Sequence, residues 1–286
     1  MKKKSIALVL TAMMACSLAG CGAGSDTAAD TAAADETAAE DTMAEDTQEA
    51  AEDSAADASD GKVWKIVTDT SFKPFEYTDA NGDFVGIDVD ILAAVAEDQG
   101  FEYTLESLGW DASIAACQAG QADGMIAGAS ITDERKESGW IFSDGYYEAN
   151  QSMAVEASSD ITGFADLSGK AVAVKTGSMS ASYAESIADE YGFTVTYFED
   201  SATMYQAVVG GQVAAVIDDT PIMASNIKDN GIAMKLVDGT GNDPASYGFA
   251  VFSEDNQELI DLFNAGLADI KENGTYDEIL AKYLGE

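Results

Sequence analysis

From Val63 to the end of the chain, short apolar runs alternate with segments of helical period, and this alternation limits the fold more than any other feature. Strands are expected at 63–67, 101–105, 125–127, 171–174, 194–198, 213–217 and 247–252. Helices are expected at 111–119, 180–191, 202–209, 257–271 and 276–283, with an earlier one carrying Ile87, Ile91, Leu92, Val95 and Ala96 on one face. Gly100 and Gly120 stand where the first two helices stop. Strand–helix alternation implies an α/β protein with mostly parallel sheets. About 225 residues is large for one open sheet, so two lobes are expected. Ligands of such sheets bind beyond the carboxyl ends of the strands, so two facing lobes would enclose a cleft and a hinge would close it.

Charge and composition remove several classes of function. Fourteen Lys and Arg stand against 52 Asp and Glu, for a net charge of −38. Nucleic acid and anionic membrane surfaces would repel such a chain. There is no histidine, which excludes a histidine base and a Cys/His metal site. Of the three cysteines, Cys16 and Cys21 lie near the N-terminus. Cys117, on the helix with Ile114, is expected in the core without a redox role. No cofactor is implied.

The first sixty residues have a different character. Lys2, Lys3 and Lys4 precede an apolar run, Ile6 to Ala15, too short to span a bilayer and suited to an export signal over residues 1–20. Leu18-Ala19-Gly20-Cys21 resembles the bacterial lipobox. That resemblance implies lipidation of Cys21 and anchoring on the extracytoplasmic face of the cell membrane. Residues 22–60 are mostly Ala, Thr, Asp, Glu and Ser, with almost nothing apolar beyond alanine and Met43 and no Lys or Arg. They lack the apolar surface to offset ordering entropy, so residues 21–61 are expected to form a disordered acidic tether.

Candidate ligand residues cluster just after the expected strands: Asp69 and Phe72 after the first, Trp110 after the second, Gly128, Ser130 and Arg135 after the third. In the second half, Lys175 and Ser178 follow one strand and Asp218 and Asp219 another. A free amino acid needs such a set. Its carboxylate wants a guanidinium and backbone donors, available from Arg135 and the turn Gly128 to Thr132. Thr132 is a good N-cap for the short helix holding Arg135. Asp219 suits an α-ammonium, Phe72 and Trp110 suit an apolar stem, and Asp69 and Lys175 suit a polar tip. Taken singly, Arg135 also fits a solvated helix, the aspartates fit turns or caps, Lys175 fits the surface, and the aromatics fit the core.

Seven strings in order carry a family resemblance: Thr68-Asp69-Thr70 with Phe72 and Pro74-Phe75-Glu76; Val85-Gly86-Ile87-Asp88-Val89-Asp90; Ser130-Ile131-Thr132-Asp133-Glu134-Arg135-Lys136; Phe142-Ser143-Asp144-Gly145-Tyr146-Tyr147; Val172-Ala173-Val174-Lys175-Thr176-Gly177; Asp218-Asp219-Thr220-Pro221; and Glu272-Asn273-Gly274-Thr275-Tyr276. From about Val63 onward the chain resembles the polar-amino-acid-binding proteins of ATP-binding-cassette importers, solute-binding family 3, and within it the glutamine binders. The resemblance implies a two-lobed periplasmic-binding-protein-like (type II) fold with a hinge and an interlobe ligand cleft. Residues 62–150 plus 248–286 would form lobe 1 and 151–247 lobe 2. Gly128, Ser130 and Arg135 would hold the carboxylate and Asp219 the ammonium. Phe72 and Trp110 would sandwich the stem, with Asp69 and Lys175 reading the tip.

It also implies a monomer that delivers its amino acid to a membrane permease. Trp110, Ser130, Met179 and Asp218 stand where the glutamine binders have Phe, Thr, Gly and His. The extra carboxylate of Asp218 favours a cationic ligand and Lys175 disfavours one, so glutamine-like and cationic amino acids both stay open, glutamine-like first. Two further functions are compatible with the fold: a secreted enzyme resembling cyclohexadienyl dehydratases, for which no acid–base pair is recognisable, and a solute sensor acting through a separate chain.

Overall fold

The structure is a computed structural model that describes residues 61–285; the expected signal peptide, Cys21 lipidation site and acidic tether lie outside the described residues, apart from Gly61. In chain order the elements are β1 (Val63–Thr68), β2 (Tyr77–Thr78), β3 (Phe84–Val85), α1 (Ile87–Gln99), β4 (Glu102–Ser107), α2 (Trp110–Gln118), β5 (Gly124–Met125), α3 (Asp133–Glu137), β6 (Ile141–Phe142), β7 (Tyr147–Ala149), β8 (Gln151–Glu156), β9 (Ala171–Lys175), α4 (Met179–Tyr191), β10 (Thr194–Phe198), α5 (Ser201–Val209), β11 (Ala215–Asp219), α6 (Thr220–Asp229), β12 (Met234–Leu236), β13 (Ala245–Tyr247), β14 (Ala250–Val251), α7 (Gln257–Glu272) and α8 (Thr275–Leu284).

Two five-stranded sheets carry the fold. The first has the order β4-β1-β5-β14-β6 and the second β10-β9-β11-β8-β12. In the first, β4, β1 and β5 are parallel and β14 runs antiparallel to both its neighbours. In the second, β10, β9 and β11 are parallel and β8 runs antiparallel between β11 and β12. The sheets are therefore mixed where mostly parallel ones are expected. The antiparallel members are the strands by which the chain enters the second sheet and returns to the first. Between the sheets the chain crosses at β7 and β13, which pair antiparallel with Tyr147 opposite Tyr247. The single strand expected over 247–252 is split into β13 and β14, because one piece belongs to the crossing ribbon and the other to the first sheet.

Side-chain alternation explains why these runs sit between helices. In the second sheet Met153, Val155, Val172, Val174, Ala215 and Ile217 pack on one face with Ala184 and Phe193. The intervening Ala154, Ala173 and Val216 pack on the other with Met204, Tyr205 and Met223. Strands buried on both faces have no polar side to show, so they read as continuous apolar runs. In the first sheet Trp64 and Ile66 meet α1 and α7 through Ile91, Val95, Phe263 and Leu267. Val67 faces the opposite layer with Trp110, Cys117 and Trp140. Cys117 is a buried free thiol, pushed up to about 12 by burial, with Asp123 adding to it. Among the described residues no helix is long and apolar enough to cross a membrane.

Candidate functional site

Parallel strands of both sheets end at the same place, and the polar residues gather there. Asp69 directly follows β1, Trp110 opens α2 after β4, and Gly128 and Ser130 follow β5. Lys175 ends β9 and Asp219 ends β11. All of these but Asp69 surround a small cavity with about 20 Å³ of free space. Phe72, Trp110, Gly128, Ser130, Arg135, Lys175, Ser178, Asp218 and Asp219 all line it, together with Ala127, Met179 and Ser180. Of the residues expected from sequence, Asp69 is absent from the wall and stands behind Lys175.

Three contacts join the sheets across this cavity. Lys175 Nζ donates to Asp69 Oδ2 in a buried ion pair, while Asp69 Oδ1 accepts from Thr70 N at 2.6 Å. Trp110 Nε1 donates to the Gly177 carbonyl at 3.3 Å, and Arg135 Nη2 reaches the same carbonyl at 3.4 Å. The Lys175 ammonium lies 5.0 Å from the Phe72 ring centre and 5.4 Å from that of Trp110. Lys175 is therefore a buried member of the site and not the surface lysine that its residue type alone allows.

Arg135 is built in from several directions. Thr132 caps α3 by accepting from Arg135 N at 3.2 Å, as expected for that residue type. The guanidinium stacks between Trp110 at 5.1 Å and Trp140 at 5.0 Å, and Nη1 donates to the Ser130 carbonyl at 2.8 Å. Burial pulls its pKa down to about 10, with Asp219 opposing, so it remains a cation at neutral pH. Two of its five N–H donors are engaged in these bonds, which leaves a fork for an anion.

On the opposite wall Asp218 and Asp219 play different parts. Asp218 accepts from Tyr205 at 2.6 Å, Ser201 at 3.0 Å and the Asp219 amide at 2.9 Å. Asp219 accepts from Gln151 Nε2 at 2.6 Å and from the Tyr247 hydroxyl. Gln151 is itself held by Asn242. Burial pushes Asp219 up to about 6, and the neighbouring Asp218 adds to the rise; burial raises Asp218 as well. Asp218 lines the cavity as expected, with three donors already on its carboxylate.

Gly128 requires a correction. Its N–H donates to Asp88 Oδ2 at 2.8 Å, so the amide is not available to a ligand carboxylate. The residue still lines the cavity and keeps its carbonyl as an acceptor. It must be glycine, because φ is +55° and a Cβ would lie 2.5 Å from Phe72. Gly128→Ala is expected to destabilise the fold by about 1–3 kcal/mol and to displace the Phe72 ring into the cavity. A melting curve and a ligand titration check both effects.

Residues that the sequence does not announce complete the site. The Ser180 hydroxyl lies 3.4 Å from an oxygen of each aspartate and can donate its one proton to either. Gln151 and Tyr247 come from the strands at the crossing between the sheets. Their partners lie 68 and 28 residues away, and no local pattern encodes such pairings. A polar residue opening the apolar run of β8 was the one available signal.

Among characterised proteins, a probable histidine-binding protein of Neisseria gonorrhoeae is 30% identical over 82% of this chain and 88% of its own length. The solved structure of an ancestral arginine-binding protein bound to arginine is 34% identical, covers 77% of this chain and 97% of that one, and has a TM-score of 0.71. One bound to glutamine is 35% identical, covers 78% and 98%, and also has a TM-score of 0.71. The model of the bacterial extracellular solute-binding proteins, family 3, matches residues 64–286, and the chain belongs to that family.

Proposed function

We propose that the cavity captures a free amino acid with a neutral polar side chain, glutamine foremost, for delivery to the permease of an ATP-binding-cassette importer. Arg135 and the Ser130 hydroxyl bind the carboxylate, and Asp219 with the Gly128 carbonyl takes the ammonium. Phe72 and Trp110 flank the stem, and Lys175, held by Asp69 behind it, donates to the amide oxygen. The observation that carries the choice of side chain is the Lys175–Asp69 pair with its ammonium between Phe72 and Trp110. A cation already stands where a cationic ligand's tip would go, and like charge in a buried site is costly. A second reading, arginine or another cationic amino acid, is supported by the names of the relatives and requires the ligand to displace Lys175 from Asp69.

Residues 62–150 with 248–286, and 151–247, act as the two closing bodies in this reading, and the β7–β13 ribbon acts as the hinge. The protein is a monomer held on the extracytoplasmic membrane face by lipid on Cys21. The test is a melting series on residues 62–286, stripped of carried ligand, against the common amino acids, ornithine and prephenate. A ligand at about a hundred times its dissociation constant adds about 2.7 kcal/mol to the folded state. Glutamine is expected to give the largest shift. A larger shift with arginine establishes the second reading, prephenate turnover moves the protein to the enzyme class, and no shift with any amino acid rejects the assignment.

The site also fixes a pH dependence. Ligand ammonium needs ionised Asp219, whose pKa lies at about 6. Affinity is therefore expected to fall as pH drops through 6. The ligand-free fold should respond in the opposite sense. A carboxyl raised in the folded state contributes stability that is full below the unfolded pKa and is lost as pH rises through the folded one. From pH 7 to 5 the melting temperature without ligand should thus hold or rise while the ligand-induced increment shrinks.

A further inference from the structure

Behind the cavity, on the far side of the Gly128 turn, two carboxyl groups lie together at 0% exposure: Glu76 and Asp88. The backbone puts them there. Ile87 N and Asp88 N donate to the carbonyls of Pro74 at 3.0 Å and Phe75 at 2.9 Å, so the first turn of α1 is bonded to the Phe72–Glu76 turn. Gly86 makes the approach possible, since a Cβ there would lie 1.9 Å from the Phe75 oxygen. Asp88 Oδ2 accepts from Gly128 N at 2.8 Å and from the Tyr146 hydroxyl at 2.9 Å. Asp88 Oδ1 and both oxygens of Glu76 have no donor among the described residues. The backbone bond from Asp88 N to the Phe75 carbonyl sets the two residues alongside one another. Two carboxylates cannot bond, because both only accept; one proton between them satisfies Asp88 Oδ1 and one oxygen of Glu76.

We propose that Glu76 is kept as the neutral acid and donates to Asp88 Oδ1, so that Asp88 stays an anion and fixes the backbone of Gly128 and the Tyr146 hydroxyl beneath the ligand. Glu76 is then a positioning residue for binding, acting through Asp88 on a glycine of the cavity wall. The surrounding charges agree with this assignment of the proton. Asp88 and Asp69 face Glu76 as anions and Tyr146 adds no positive charge. Lys175, the cation that acts on Glu76, is already paired with Asp69. Burial and then Asp88 raise Glu76 well above the usual carboxylate range, whereas Asp88, with Gly128 N and the Tyr146 hydroxyl donating to it, is raised by burial to about 7. Loss of the Glu76 proton in alkali would put two unpaired anions in one dry site and release the turn. The inference rests on Gly128 lining the ligand site.

Two measurements test it. The first is the infrared carbonyl absorption of protonated carboxyl groups at neutral pH, recorded without ligand on the parent and on Glu76→Gln. One acid band should vanish in the variant; if none does, the assignment of the proton to Glu76 is wrong, whatever the cavity binds. The second compares Glu76→Met, which fills the space without a donor, with Glu76→Gln, whose amide can donate to Asp88. Glutamine and arginine serve as probes, and circular dichroism checks the fold. Met should weaken binding of the better probe about tenfold, and Gln should restore it to within about threefold of the parent. The parent should also lose affinity in alkali more steeply than Glu76→Gln does. Equal binding by the Met variant and the parent overturns the positioning role. If Arg135→Ala also leaves binding unchanged, the fault lies in the site reading and not in the carboxyl pair.

Discussion

Arg135→Ala is expected to remove the melting shift given by every amino acid, glutamine and arginine alike. The side chain offers the carboxylate a charged fork that no neighbour can replace, since the other cation of the cavity, Lys175, is held by Asp69. Deleting one partner of a buried, hydrogen-bonded charge pair costs about 2–5 kcal/mol, about 30-fold to several thousand-fold in affinity. The fold itself should lose less. Arg135 stacks on Trp110 and Trp140, worth about 1–2 kcal/mol when desolvated. Arg135→Lys separates charge from geometry: it keeps the cation and loses the planar fork, so an intermediate affinity is expected. A parent-like affinity in the alanine variant would show that the carboxylate is bound elsewhere.

The architecture around this residue was largely legible before any coordinates. Strand–helix alternation locates the ends of the parallel strands, and the ends of parallel strands are where ligands bind. Asp69, Trp110, Lys175 and Asp219 therefore converge although up to 150 residues of sequence, from Asp69 to Asp219, separate them. Local chemistry was legible too: Thr132 caps the helix of Arg135 because a hydroxyl there satisfies an orphan amide. What could not be read was which lone pair each carboxylate gives to which donor. Asp218 and Asp219 are adjacent in sequence and chemically identical. Yet one serves Tyr205 and Ser201 and the other Gln151 and Tyr247, because successive strand residues face opposite sides of a sheet. The same limit hid the Gly128–Asp88 bond. A glycine beside an expected anion site reads as a donor to ligand, and only the packing of α1 beneath it reveals a competing acceptor.

Lys175→Met should exchange the preference between neutral and cationic ligands. In the parent the Lys175–Asp69 pair is nearly dry, with side-chain exposures of 4% and 5%. Removing the lysine leaves Asp69 buried without its cation, a loss of about 3–5 kcal/mol if the carboxylate stays charged. The ligand-free variant should therefore melt well below the parent. A cationic ligand can return the missing charge. Its tip would take the place beside Asp69 that the ammonium occupies in the parent, and its binding energy would include the relief of Asp69. The melting increment from arginine should therefore grow, while that from glutamine shrinks for want of the donor to its amide oxygen. The double variant Asp69→Asn with Lys175→Met separates this account from a general loosening of the site. With no buried anion left to neutralise, it should recover part of the melting temperature and lose the gain with arginine. A single variant that binds glutamine as tightly as the parent and arginine no better would show that Lys175 joins the two sheets without selecting the ligand. Selectivity would then have to reside in Met179 and the aromatic walls, where the shape of the cavity and not its charge makes the choice.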